Sequence, residues 1–255
     1  MLLTTWNVNS LRARLPRVLE LLAKHSPDVV CLQETKTDDA AFPDAELAGA
    51  GYSAVHHSAG RWNGVAILTR EPLALSEPSS GLPGEPRGDQ ARWVEAKADG
   101  LRVASVYVPN GRAVGTEEFE LKLAFLDAAR ERAAQLAAAG PAVICGDMNV
   151  CRTDLDVYDP AAFAGSTHVT PDERERLEAI IGAGFADAFR QLHADEPGFT
   201  WWDYRAGHFH KRLGLRIDYA LLSAELQSGL RSCGIDRDLR KGPKPSDHAP
   251  LLTEF

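Results

Sequence analysis

The chain runs twice through one series: an apolar strand, an amphipathic helix, and a second apolar strand that ends in a carboxylate. The series occupies residues 2–34 and again 101–147. The closing strands, Val29-Val30-Cys31-Leu32 and Ala142-Val143-Ile144-Cys145, are short and wholly apolar. Such runs, set off by Ser26-Pro27 and Gly140-Pro141, read as buried strands. Two such units point to an α/β architecture with two strand layers between helices. Local spacing fits an open doubly wound sheet as well.

The intervening elements follow from periodicity and punctuation. Leu11, Leu15, Val18, Leu19 and Leu22 mark the first helix, with Pro16 in its first turn. Residues 44–48 fit a short helix, and Tyr52–His56 and Val65–Thr69 fit strands. Residues 76–91 hold several Gly and Pro and no apolar period, so a loop is expected. Trp93–Ala98 and Leu101–Val108 read as a hairpin. Thr116–Ala139 is the longest helix, acidic at its start. Val150–His168 is irregular. Thr170-Pro171-Asp172-Glu173 is a capping box with Pro at the first helical position, and that helix ends near Gly182. A short helix is expected over Asp187–His193. Strands are expected over Phe199–Trp202, Arg216–Leu222, Leu230–Ile235 and Leu251–Phe255. Nothing splits the chain, so one domain over 1–255 is expected.

Composition removes several classes of function. With 44% hydrophobic and 25% charged residues, the chain has the balance of an ordinary globular protein. No apolar stretch approaches a membrane span. A strand-like segment begins at Leu2, leaving no room for a leader peptide, so a cytoplasmic location is expected. The four cysteines show no CxxC spacing, which argues against zinc or a redox pair. The net charge of −8 argues against binding nucleic acid by bulk charge. Residues 200–248, however, carry nine Lys and Arg against six acids, and such a face can hold a polyanion.

Polar residues fall where chemistry would need them. Asn7, Glu34, Asn110, Asp147 and Asn149 sit at or just past the ends of apolar runs, Asp218 lies inside one, and Asp247-His248 precedes the last strand. Asp147 and Asn149 lie two residues apart on one face, an arrangement suited to gripping and deprotonating a water. A buried Asp218 needs a partner, and His248 is the natural one; the carboxylate would fix the tautomer and favour imidazolium. Glu34 is a hard oxygen ligand suited to Mg²⁺. Attack of water on a phosphoryl centre follows as a reaction class. Taken singly, each residue also fits a plain structural role: an Asx turn at Asp147, a surface charge at Glu34, a structural acid at Asp218, core burial for Trp201-Trp202. Those plain roles are independent, and all would have to hold together.

The ordered set Trp6-Asn7-Val8-Asn9, Gln33-Glu34-Thr35-Lys36, Tyr107-Val108-Pro109-Asn110-Gly111, Gly146-Asp147-Met148-Asn149, Thr200-Trp201-Trp202-Asp203-Tyr204-Arg205, Arg216-Ile217-Asp218-Tyr219 and Pro245-Ser246-Asp247-His248-Ala249-Pro250 resembles the bacterial exonuclease III family of abasic-site endonucleases. The resemblance implies a four-layered α/β sandwich, two mixed β-sheets packed face to face with helices on both outer sides. It implies a monomeric, Mg²⁺-dependent DNA repair nuclease, with Mn²⁺ as a possible substitute. Its substrates would be duplex DNA with abasic sites or blocked 3′ ends. By that resemblance Glu34 is the main metal ligand, with Asn7 and Asp247 beside it. Asp147 and Asn149 activate the water, and His248, backed by Asp218, binds the phosphate. Tyr107 joins Asn7 at the scissile phosphate. Asn110, Asn9, Arg112, Arg205 and Arg216 contact DNA, and Trp201 lines the pocket for the flipped-out sugar. Asn9 departs from relatives with an acid there, and Leu215 from relatives with an aromatic. Two rival readings remain at this stage: a phosphodiesterase acting on lipid or inositol phosphates, and a DNA-binding relative without catalysis.

Overall fold

A computed structural model describes residues 1–255. The first half of the chain forms β1 (Leu2–Asn7), α1 (Leu11–His25), β2 (Val29–Gln33), α2 (Asp44–Gly49), β3 (Tyr52–His57), β4 (Val65–Arg70), β5 (Leu75–Ser80) and β6 (Trp93–Ala98). The second half forms β7 (Leu101–Tyr107), α3 (Glu117–Ala139), β8 (Ala142–Asp147), α4 (Pro160–Phe163), α5 (Pro171–Gly182), β9 (Phe185–Asp187), α6 (Ala188–Leu192), β10 (Asp218–Ser223), β11 (Ser232–Ile235) and β12 (Leu251–Glu254).

The strands make two six-stranded sheets, ordered β11-β12-β1-β2-β4-β3 and β5-β6-β7-β8-β10-β9. Each sheet is antiparallel except at one pair. Those pairs are β1 with β2 and β7 with β8, the two units repeated in the sequence. The helices that cross between them, α1 and α3, let the paired strands run parallel. Neither sheet is built by one half alone. The β5–β6 hairpin joins the second sheet, and β11–β12 joins the first.

Period-2 alternation sorts each strand's side chains onto two faces. Leu3, Val29, Cys31 and Ile67 of one sheet meet Val94, Val103, Val143, Cys145 and Leu222 of the other in the central layer. The opposite face of the first sheet, with Trp6, Val30, Leu32 and Leu68, is covered by Leu11, Val18, Leu21 and Leu22 of α1. The opposite face of the second, with Ala104, Val106, Ile144 and Leu221, is covered by Phe125, Leu126 and Leu136 of α3 and Leu177 and Ile180 of α5. The result is an α/β sandwich of four layers, as the family resemblance implied and as an open sheet would not give. α3 is capped by Thr116, whose hydroxyl accepts from Phe119 N at 3.3 Å. α5 carries the expected capping box between Thr170 and Glu173. No helix is long and apolar enough to cross a membrane.

Three expectations are corrected. Residues 76–80, the start of the loop expected over 76–91, belong to the edge strand β5 (Leu75–Ser80), with a register shift between Ser76 and Ser79. Its residues are polar and mostly exposed, and Pro78 is tolerable only at an edge, so it shows no apolar period. Phe199–Trp202 makes isolated bridges through Trp201 to Leu215 and His248 rather than a strand. β10 begins at Asp218, because Arg216 N turns to Asp156 O at 2.9 Å and Ile217 N to the Thr200 hydroxyl at 3.2 Å.

Candidate active site

The ends of six strands converge on one rim. In register, Asn7 closes β1 beside Gln33 of β2, and Tyr107 closes β7 beside Asp147 of β8. Asp218 opens the antiparallel β10 directly opposite Asp147. Glu34 follows β2, and His248 lies just before β12. Gly146 is required by close approach: at φ 145°, a Cβ there would lie 2.0 Å from Val106 O. Five non-glycine residues of the rim, Asn9, Ser10, Glu34, Lys36 and Asn149, hold positive φ. Such strain collects where surrounding structure fixes a functional side chain.

Asn7 stitches the two sheets together. Its Nδ2 donates to Glu34 Oε1 at 2.8 Å and to Asp147 Oδ2 at 2.9 Å. Its Oδ1 accepts from Asn9 N at 3.0 Å, and its main-chain oxygen accepts from Ser246 Oγ at 2.7 Å. Asp147 Oδ1 accepts from Asn149 N at 2.9 Å. Asn149 Nδ2 donates to Val108 O at 2.9 Å, and its Oδ1 accepts from Asn110 Nδ2 at 3.3 Å.

His248 is buried, with Nδ1 2.8 Å from Asp218 Oδ2 and Nε2 3.7 Å from Asp147 Oδ2. Burial alone would lower its pKa; the Asp218 carboxylate overrides burial and raises it to about 10. The ring is therefore an imidazolium whose Nε2–H faces Asp147. Burial raises the Asp147 carboxyl to about 7 against the pull of His248. Burial, with Glu34 nearby, also pushes the Tyr107 hydroxyl well above its usual range, so it stays a donor.

Ligand atoms of Glu34, Asp147 and His248 all lie within 4.8 Å of one another. A protonated His248 cannot ligate a cation, which leaves the two carboxylates; Asn7, expected beside the metal, turns Nδ2 rather than Oδ1 towards them. Hard oxygen donors of this kind fit Mg²⁺. The Lys36 ammonium, which sequence reasoning assigned no role, sits 2.7 Å from Glu34 Oε2 and 2.7 Å from Asn9 Oδ1. Asp247 stands outside the trio. Its oxygens accept from Asn9 Nδ2 and Trp201 Nε1, each at 3.0 Å. The arrangement offers an anionic oxygen cluster for a metal beside an imidazolium for an anion, which is what water attack on a phosphodiester requires.

The expected DNA contacts divide. Arg112 is exposed and 3.4 Å from Glu118. Arg205 is exposed and forked onto Asp203, its Nη2 at 2.7 Å. Trp201 is half-buried at the rim. Arg216 is a correction: fully buried, it pairs with Asp156 at 2.6 Å and Asp187 at 2.8 Å, so it reaches no substrate. Its apolar neighbours Leu215 and Ile217 gave the sequence signal that this was an interior arginine.

Known proteins resemble the chain over nearly its whole length. The model of the Endonuclease/Exonuclease/phosphatase family matches residues 4–248. The chain is 34% identical to exodeoxyribonuclease III of Haemophilus influenzae over 98% of each chain. It superposes on the 3′ phosphatase NExo from Neisseria, solved bound to product DNA hairpin, with TM-score 0.97 and 38% identity over 100% of this chain and 99% of that one. An AP endonuclease from Archaeoglobus fulgidus gives TM-score 0.95 and 34% identity over the same shares.

Proposed function

The chain belongs to the Endonuclease/Exonuclease/phosphatase family, and from that premise we propose that it is a DNA repair nuclease that hydrolyses the phosphodiester 5′ to abasic sites in duplex DNA and also trims and dephosphorylates 3′ ends. The observation that carries this reading is the buried imidazolium of His248 beside the oxygen cluster of Glu34 and Asp147. Relatives named as exodeoxyribonuclease III, 3′ phosphatase and AP endonuclease support DNA as the substrate.

In this reading Glu34 and Asp147 hold Mg²⁺, with Mn²⁺ able to substitute. The metal, when bound, supplies Lewis acidity that polarises the phosphoryl oxygens. Asp147, its Oδ1 fixed by Asn149 N, takes the proton of the attacking water. The water oxygen forms the new bond to phosphorus as the 3′ oxygen leaves with the bonding electron pair and takes a proton from solvent, becoming a 3′-hydroxyl. His248 Nε2–H faces the charge that grows on the phosphoryl oxygens, and Asp218 keeps that ring protonated and oriented. Tyr107 and Asn110 hold the phosphate from the β7 side, and Trp201 walls the sugar pocket beside Asp247. Asn9, Arg112 and Arg205 extend the contact to flanking phosphates. The protein acts as a monomer in the cytoplasm; four free, buried cysteines support a reducing compartment.

The test uses duplexes with a central abasic site, with a 3′-phosphate, and intact, each with Mg²⁺ and with chelator. Mg²⁺-dependent incision at the abasic site, absent in Asp147→Asn, is expected. Release of 3′-phosphate without incision would confine the activity to 3′ ends. No cleavage of any DNA by folded protein would overturn the nuclease reading and bring lipid and inositol phosphates forward.

A further inference from the structure

Lys122 lies on the buried face of α3, with no exposed surface, where helical periodicity calls for an apolar residue. Its ammonium is surrounded by four acceptors. It donates to Asn149 O at 2.7 Å, to Asn110 O at 3.2 Å, to Thr167 Oγ1 at 3.2 Å, and to Glu173, which is equally buried. Glu173 in turn accepts from Thr167 Oγ1 at 2.8 Å, His168 N at 2.9 Å and Thr170 Oγ1 at 2.7 Å. His168 Nδ1 meets the same Asn149 oxygen at 2.5 Å.

Two of those acceptors belong to residues of the site. Asn149 holds φ 51°, and Asn110 leads into Gly111 at φ 81°. Neither segment is part of a strand or helix, so no ladder fixes its peptide planes. Gly111 lies directly on the lysine stem: a Cβ there would approach Lys122 Cδ to 2.8 Å. A buried ammonium is costly and persists only where its partners compensate it. Here the compensation is drawn from the loops after β7 and β8 together with the start of α5.

We propose that Lys122, held by Glu173, is a positioning residue that fixes the side chains of Asn110 and Asn149 against the scissile phosphate. It touches neither substrate nor water; it acts through the two asparagines. The proposal rests on the nuclease reading above and adds a residue outside the motifs that identify the family.

A coupling experiment tests it. Lys122→Met together with Glu173→Gln removes both charges at once, leaving no unpaired buried ion. In the native background this pair of changes is expected to lower kcat about 30-fold and to move KM by less than about threefold. In an Asn110→Ala, Asn149→Ala background the same changes are expected to lower the residual kcat by less than about threefold, because the groups they position are gone. Multiplicative losses in the two backgrounds would overturn the proposal and leave Lys122 a purely structural residue. Thr167→Val, a milder removal of one link, gives the same cycle if the paired variant does not fold. The side-chain amide resonances of Asn110 and Asn149 give a readout independent of turnover; they should shift or broaden in the paired variant, and unchanged resonances would overturn the proposal. Native protein that cuts no DNA would defeat the nuclease reading itself, an outcome distinct from native cleavage without coupling.

Discussion

Around Arg216 three arginines meet two aspartates: Arg216 and Arg190 share Asp156, and Arg216 also holds Asp187, which Arg152 approaches to 3.7 Å. Two residues along the chain, at Asp218, a second buried cluster begins, and its balance differs. There Glu34, Asp147, Asp218 and Asp247 face one imidazolium, His248, and one ammonium, Lys36. The first cluster is closed by its own charges. The second is short of positive charge around Glu34 and Asp147, and its imidazolium keeps Nε2 free of any close partner. Charge used to hold loops is neutralised on the spot, whereas charge used for chemistry is left open to a cation and to an anionic substrate.

The sharpest way to break that contrast is Asp147→Asn. Cleavage should fall about 10³-fold. The melting temperature should stay the same or rise, since one of several mutually repelling carboxylates is lost. Single-turnover cleavage and calorimetry read the two effects; a large loss of stability would place Asp147 with the closed cluster. Arg216→Met should give the reverse. Leaving Asp156 with Arg190 alone and Asp187 with only Arg152 at 3.7 Å costs about 3–5 kcal/mol and lowers the melting temperature by roughly 10 °C, with cleavage per folded molecule little changed.

Glu34→Gln should raise the Mg²⁺ concentration for half-maximal cleavage by at least about tenfold, with the metal-free melting temperature little altered. An unchanged Mg²⁺ requirement would remove Glu34 from the metal. The pH dependence of stability separates the clusters more gently. Folding raises His248 from 6.5 to about 10, so between those values the folded state holds a proton that the unfolded state has released. Its stabilisation is full below pH 6.5 and is lost as pH rises through about 10. Metal-free protein should therefore lose melting temperature across that window, and Asp218→Asn should flatten the loss. Smallest is Arg112→Ala at the exposed rim, where the slope of log affinity for DNA against log salt should fall by about one with little change in turnover.

Much of this was legible in residue order. The repeated strand–helix–strand series marks both parallel pairs, and the polar residues after each apolar run mark the rim. Local signals fail where an element's reason lies across the fold. β5 is a strand only because β6 is beside it. Arg216 carries a family motif that looks fit for DNA, yet its acids come from residues 156 and 187. Lys122 reads as one more helix lysine until Glu173, fifty-one residues on, closes on it. That the two layers form separate sheets was not in the spacing either. It depends on each half lending its last hairpin to the other.

That exchange of hairpins bears on how the protein is made. β1 is made long before β12, with which its outer edge pairs, so that edge stays bare until β12 emerges. His248 emerges just ahead of β12, together with the Ser246 hydroxyl that anchors Asn7. A nascent chain thus already carries Glu34 and Asp147 but lacks the group that would greet a phosphate. Products that stop short of His248 should be inert toward DNA, and should display an unpaired apolar strand to the machinery that clears failed chains.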